Sequence, residues 1–193
     1  MRARPFRAAT FAAAALAIGV WSSRERGREL DAKAFHALNG GHTPGRDRFF
    51  SGVTELGSIW ASIGAAAALA ANGRTRTATR ALLAALATWS LGQALKKSFL
   101  RPRPYHAHAD TARVVISRPQ GTSWPSSHPA VITAFLTVAA RDLDLSLPIR
   151  AMMASPAAAV GVSRIYLGVH FPSDVAGGLL LGRAVGIAWP AES

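Results

Sequence analysis

Six apolar runs rich in alanine and glycine, at residues 8–21, 49–71, 81–95, 130–140, 147–162 and 175–189, constrain this chain more than any other feature. Small residues of this kind let apolar helices approach closely inside a membrane. Several runs fall short of the roughly 20 residues a span needs, so each must borrow polar residues at its ends. None alternates like a half-buried strand, no Gly-rich phosphate loop follows a strand, and no fixed-period repeat stands out. The expected fold is all-α, an integral membrane six-helix bundle in one domain over residues 1–193.

Composition narrows the function classes. With 50% hydrophobic and 17% charged residues the chain can bury a core and is not a disordered segment. The absence of cysteine excludes disulfides, thiolate metal sites and cysteine nucleophiles, and leaves the redox compartment open. A net charge of +12 in a soluble protein would point to nucleic acid. Here the basic residues sit between apolar runs, so membrane lipids with anionic headgroups are the expected partner and nucleic acid is not.

Arg2, Arg4 and Arg7 precede the first run, as they would in a signal peptide. Ser22 and Ser23 can extend that run toward spanning length, and the later runs favour a retained first helix. Residues 24–33 are charged, while Leu30, Ala34, Phe35 and Leu38 share one helical face, as in a helix lying in the membrane interface. Asn39-Gly40-Gly41 ends it. Glu55 interrupts the second run and lies either near the interface or turned toward the bundle interior.

Three polar clusters sit at the ends of runs. Ser163-Arg164-Ile165-Tyr166-Leu167-Gly168-Val169-His170-Phe171-Pro172-Ser173-Asp174 sets an arginine, a histidine and an aspartate at fixed offsets. A histidine attacks through one ring nitrogen only if the other is held as a donor, and Asp174 is spaced to hold it. Arg164 supplies a planar fork matched to two phosphate oxygens. The ordinary reading of Asp174 is a helix cap. Leu95-Lys96-Lys97-Ser98-Phe99-Leu100-Arg101-Pro102-Arg103-Pro104 follows the third run and, alone, reads as a basic collar at a membrane surface. Trp124-Pro125-Ser126-Ser127-His128-Pro129 precedes the fourth and reads as a helix start whose free N–H groups also suit an anion. If all six runs span, the three clusters share one membrane face, a gathering that structure alone does not require.

Lys96-x6-Arg103-Pro104, Pro125-Ser126-Ser127-His128 and Ser163-Arg164-x5-His170-x3-Asp174 resemble the three signature motifs of the type 2 phosphatidic acid phosphatases, which are related to vanadium haloperoxidases. The resemblance covers residues 35–189 and departs at Ser127, where the family usually has glycine. It implies a phosphatase with no metal and no cofactor. His170 would attack phosphorus to form a phosphohistidine, Asp174 would fix its tautomer, and His128 would protonate the leaving oxygen and then activate water. Lys96, Arg103, Arg164, Ser126 and the Ser127 N–H would hold the phosphate oxygens, with Arg101 expected behind them or against a headgroup. Residues 1–23 are then a first membrane helix or signal-like segment, 24–43 an interfacial segment and 44–190 the catalytic bundle. At the mouth of a helix His170 should carry little packing, so His170→Ala should abolish turnover and spare the fold.

Placing the arginine-bearing loops at 74–80 and 141–150 in the cytoplasm puts the clusters on the extracytoplasmic face of the cell membrane, although the outer loops hold more lysine and arginine in total. The expected substrate is a lipid-linked phosphate: polyprenyl phosphate or diphosphate of cell-wall carrier recycling first, phosphatidic acid or phosphatidylglycerophosphate next. A decaprenylphosphoryl phosphoribose stays open, since arginine and alanine outweigh lysine as in GC-rich bacteria. The rivals are a lipid-to-lipid phosphotransferase, a non-catalytic binder of anionic lipid and, last, a vanadium-dependent peroxidase. Oligomeric state has no signature in the sequence.

Overall fold

Helix starts are set by local chemistry that survives in the computed structural model, which describes residues 3–191. Arg2, counted above with the N-terminal arginines, lies outside the described residues. Among these, ten helices and no strand are found: α1 (Ala3–Ser22), α2 (Glu25–Leu38), α3 (Pro44–Glu55), α4 (Ile59–Ala71), α5 (Thr75–Phe99), α6 (Pro104–Ala107), α7 (Ser127–Asp142), α8 (Leu147–Met152), α9 (Ala154–Tyr166) and α10 (Pro172–Ala188). Thr43 caps α3 by accepting from Arg46 N at 3.3 Å, with Pro44 at the first helical position. Ser58 caps α4 by accepting from Ala61 N at 3.0 Å. Asp174 closes the start of α10 by accepting from Phe171 N at 2.8 Å.

The all-helical fold is present, but six runs do not become six helices. The second run breaks at Leu56-Gly57-Ser58 into α3 and α4, which meet at 60°. Apolarity is continuous there, whereas the backbone is redirected by the Ser58 cap. The fifth run breaks at Met153 into α8 and α9. By length and composition, among the described residues one helix can cross a membrane alone, at Arg4–Ser22, and α3 with α4 qualifies as a bent pair. Glu55 ends α3 and is exposed rather than turned inward.

Helix α2 forms where expected, and the face it turns into the bundle is not the apolar one that marked it in the sequence. Gly27, Asp31 and Phe35 are buried, whereas Leu30, Ala34 and Leu38 are exposed. Of the four predicted apolar residues only Phe35 packs inward, against Ile165, Phe171 and Val175. Helix α1 lies along α10, and α7 packs on both α5 and α10. Val131, Phe135 and Val138 of α7 meet Ala81, Ala84 and Ala85 of α5 in the largest apolar cluster. The α7–α10 contact requires glycine at 182, where a Cβ would fall 2.2 Å from the Ala130 carbonyl oxygen. This packing brings the end of α5, the start of α7, the end of α9 and the start of α10 to one end of the bundle.

Candidate active site

A cavity of about 340 Å³ opens at that end, and Lys96, Arg103, Ser127, His128, Arg164 and His170 line it. No Asp or Glu is among its lining residues. Three cationic side chains around a small volume carry the charge and donors that would suit a compact anion with several oxygens. Trp60 and Trp89, both exposed, also border it.

His170 sits in the short loop between α9 and α10 and is 2% exposed. It therefore contributes packing, contrary to the expectation drawn from its position at a helix mouth. Its Nε2 lies 3.2 Å from Arg103 Nη1. A guanidinium has only donors, so a hydrogen bond there requires a free lone pair on Nε2 and places the ring proton on Nδ1. Nδ1 faces Asp174 Oδ2 at 3.5 Å, beyond a normal hydrogen bond. Ser123 Oγ fills the gap, 3.4 Å from Nδ1 and donating to Asp174 Oδ2. The carboxylate thus acts on the ring through the field and through a hydroxyl. Burial, followed by the charges of Arg103, Lys96 and Arg164, pushes the His170 pKa well below the ordinary histidine value. The ring is therefore held in its neutral form, with a lone pair on the nitrogen that faces the cavity.

The cations are aimed by backbone tethers. Arg103 donates through Nε to Gly121 O at 2.9 Å and through Nη1 to Val169 O at 3.1 Å. Lys96 Nζ donates to Thr122 O at 3.0 Å. Arg164 Nη1 donates to Thr54 Oγ1 at 2.8 Å, while Arg164 Nε and Ser126 Oγ are buried without a protein partner. Unmet buried groups of this kind cost about 1–3 kcal/mol each until something pairs with them. Ser126 is fully buried and does not line the cavity, though its neighbour Ser127 does. Gln93 Nε2 donates to Ser127 Oγ at 3.4 Å, which turns the hydroxyl toward α5 and leaves the first-turn N–H groups of α7 for an anion.

His128 enters from the first turn of α7 and lines the same cavity as His170. Gly57, at the α3–α4 break, lets that bend close on it, since a Cβ there would fall 2.8 Å from His128 Cβ. The helix break missed from hydropathy is thus a wall of the site.

Behind Asp174 lies a buried charge network that sequence reading did not find. Arg101 pairs with Asp174 Oδ1 at 2.7 Å and with Asp31 Oδ2 at 2.5 Å. Asp31 also accepts from Ser173 N at 2.9 Å. Arg101, Asp31 and Asp174 are 6%, 3% and 0% exposed, so the network has little water to fall back on. Arg101 is therefore absent from the lining of the 340 Å³ cavity, and α2 is tied to this end of the bundle through Asp31. Thr54, Ser123 and Asp31 carried no motif signal because the partners of their side chains lie 47 or more residues away.

Residues 77–191 match the family model described as the PAP2 superfamily. The chain is 39% identical over 92 residues to the decaprenylphosphoryl-5-phosphoribose phosphatase of Mycobacterium tuberculosis (strain ATCC 25618 / H37Rv), a match covering 48% of each protein. The chain thus spans about half the length of that relative. It is 32% identical over 131 residues to the Mycolicibacterium smegmatis protein of the same name, covering 68% of each. Its fold superposes with a TM-score of 0.81 on a transmembrane PAP2-type phosphatidylglycerolphosphate phosphatase from Bacillus subtilis, at 24% identity over 95% of this chain and 94% of that one. Aquifex aeolicus LpxE gives 0.71 at 30% identity over 81% and 92%.

Proposed function

The chain belongs to the PAP2 superfamily, and on that premise we propose that it is a membrane phosphatase that removes phosphate from a polyprenyl-linked substrate through a phosphohistidine at His170. The observation that carries this reading is the neutral, tautomer-fixed His170 whose Nε2 faces a cavity ringed by Lys96, Arg103 and Arg164.

In the first step the Nε2 lone pair attacks phosphorus as the bond to the lipid oxygen breaks. Burial and then Arg164, Lys96 and Arg103 push the His128 pKa down to about 3, so His128 takes up its proton as the negatively charged phosphate binds beside it and donates that proton to the leaving oxygen. Arg103 moves its contact from the ring to a phosphate oxygen, and Lys96, Arg164 and the Ser127 N–H bind the others, where the transition-state charge is spread. The proton on Nδ1 stays between Ser123 and Asp174, whose charge stabilises the phosphoimidazole. In the second step His128, now a base, takes a proton from water, which attacks phosphorus and releases phosphate from Nε2. No step calls on a metal or a cofactor.

The six apolar runs, with α1 retained and packed on α10, form the membrane-embedded body, and the reactive end faces the extracytoplasmic side. Exposed Leu30, Ala34 and Leu38 on α2 contact lipid at the interface beside it. A lipid tail then stays in the bilayer while its phosphate reaches the cavity. The named relatives favour decaprenylphosphoryl-5-phosphoribose as substrate, with other polyprenyl phosphates behind it.

The test is phosphate release by the purified full-length chain in detergent with EDTA present. The panel holds decaprenylphosphoryl-5-phosphoribose, polyprenyl phosphate and diphosphate, phosphatidic acid and phosphatidylglycerophosphate. Release from a polyprenyl member above the glycerolipids supports the reading. Release that requires a second lipid as acceptor points to phosphotransfer instead.

A further inference from the structure

A second and larger cavity, about 790 Å³, lies at the other end of the bundle. It opens between the start of α1, α8, the start of α9 and the last turns of α7 and α10. Thirteen residues of α7 separate His128 from Arg141, which puts the two cavities about 20 Å apart at 1.5 Å per residue. Its apolar lining includes Phe11, Leu136 and Leu179, with the exposed Leu147 at its edge. Its rim carries five arginines and no acidic residue: Arg4, Arg7, Arg141, Arg150 and Arg183.

The five divide into two groups. Arg4 and Arg141 are spent on the end of α10, donating to Trp189 O at 3.0 and 2.9 Å and so satisfying carbonyls that the helix leaves open. The other three retain donors toward the cavity. Arg183 uses one nitrogen on Thr137 Oγ1 at 3.1 Å, and Arg150 uses Nε on Leu145 O at 2.5 Å and Nη2 on Asp144 at 3.4 Å, a carboxylate fully in solvent, which leaves its Nη1 unpaired. Arg7 is exposed beside them. Arg7 and Arg150 both repel Arg183. Three like charges converging over an apolar hollow with no lining carboxylate form an incomplete electrostatic arrangement, and an anion with an apolar tail completes it.

We infer that this cavity binds an anionic glycerophospholipid, with its phosphate among Arg7, Arg150 and Arg183 and the first part of an acyl chain against Phe11, Leu136 and Leu179. The inference rests on the membrane reading above but not on the phosphatase reading, because binding here is read without turnover. The site's ligand is a bound lipid of the opposite leaflet from the one that supplies substrate. Its contacts join α1, α7, α8 and α10, so occupancy clamps the end of the bundle remote from the chemistry.

The full chain, delipidated in neutral detergent, is titrated with phosphatidylglycerol, with phosphatidylcholine and with inorganic phosphate, and bound lipid is counted by native mass spectrometry. One phosphatidylglycerol adduct is expected that phosphatidylcholine does not form and that millimolar phosphate does not displace. Arg7→Gln, an exposed change that the fold tolerates, should weaken that adduct several-fold. Arg7→Gln combined with Arg150→Gln and Arg183→Gln should weaken it at least tenfold, with phosphate release by the catalytic end unchanged. Lys96→Gln should leave it intact. Equal binding of phosphatidylcholine, displacement by free phosphate, or an undiminished adduct in the folded Arg7→Gln protein overturns the proposal.

Discussion

Replacing Arg101 by glutamine tests the charge network behind His170. Arg101 is the one cation that touches both Asp31 and Asp174, at 2.5 and 2.7 Å, and its guanidinium lies 4.3 Å above the Phe171 ring. Removing one partner of a buried ion pair costs about 3–5 kcal/mol, because the remaining charge stays desolvated. Here two carboxylates are stranded, while the glutamine amide returns part of the loss as a donor. The net expectation is a destabilisation of about 4 kcal/mol. At 2–4 °C per kcal/mol for a chain of this size, the midpoint should fall by about 8–16 °C. Adding Asp31→Asn removes one stranded charge and keeps an acceptor for Ser173 N, so the double variant should be more stable than Arg101→Gln alone by about 1.5–3 kcal/mol. The assay is thermal unfolding in detergent followed by the fluorescence of the five tryptophans. A midpoint within 2 °C of the parent for Arg101→Gln, or a double variant no better than the single one, would falsify the argument that this network is held by charge.

Ser123→Ala removes the hydroxyl between His170 Nδ1 and Asp174 and should lower phosphate release about 5–30-fold, the equivalent of 1–2 kcal/mol, with little change in KM. Gly182→Ala drives a Cβ into the Ala130 carbonyl and should destabilise by about 1–3 kcal/mol, read as a lower unfolding midpoint with the substrate preference retained. The depressed pKa of His170 sets a sign for pH dependence. The unfolded chain takes up that proton near pH 6.5 and the folded chain does not, so the stability due to this group is present above pH 6.5 and declines below it. The decline is about 1.4 kcal/mol per pH unit in a denaturant titration, and His170→Asn should remove that share of it. A His170 contribution that grows on acidification contradicts the assignment.

How far the sequence reached depends on the range of each interaction. Lys96, Arg103, His128, Arg164 and His170 were visible because each cluster is short and lies next to an apolar run, and the alternation of runs brings the clusters to one end. The start of α10 was likewise written locally, in Pro172 and Asp174. Asp31 was not visible: it sits in a charged stretch whose pattern suggested an apolar face at Leu30 and Leu38, yet it is Asp31 that turns inward, to partners 70 and 142 residues away. Ser123 lies in the polar segment between the third and fourth runs and belongs to none of the three clusters, and only the fold brings it against Asp174. The bend at Gly57 was hidden because hydropathy does not register the approach of His128, although the Ser58 cap was there to be read.

The most direct test of the account is to trap the intermediate. The purified chain is mixed with a polyprenyl-linked substrate carrying labelled phosphate, quenched in alkali, where a phosphohistidine survives, and digested for mapping. Label on the peptide containing His170, lost on acid treatment and absent from His170→Asn, is the predicted result. Label on His128, or rapid phosphate release by folded His170→Asn, would contradict it.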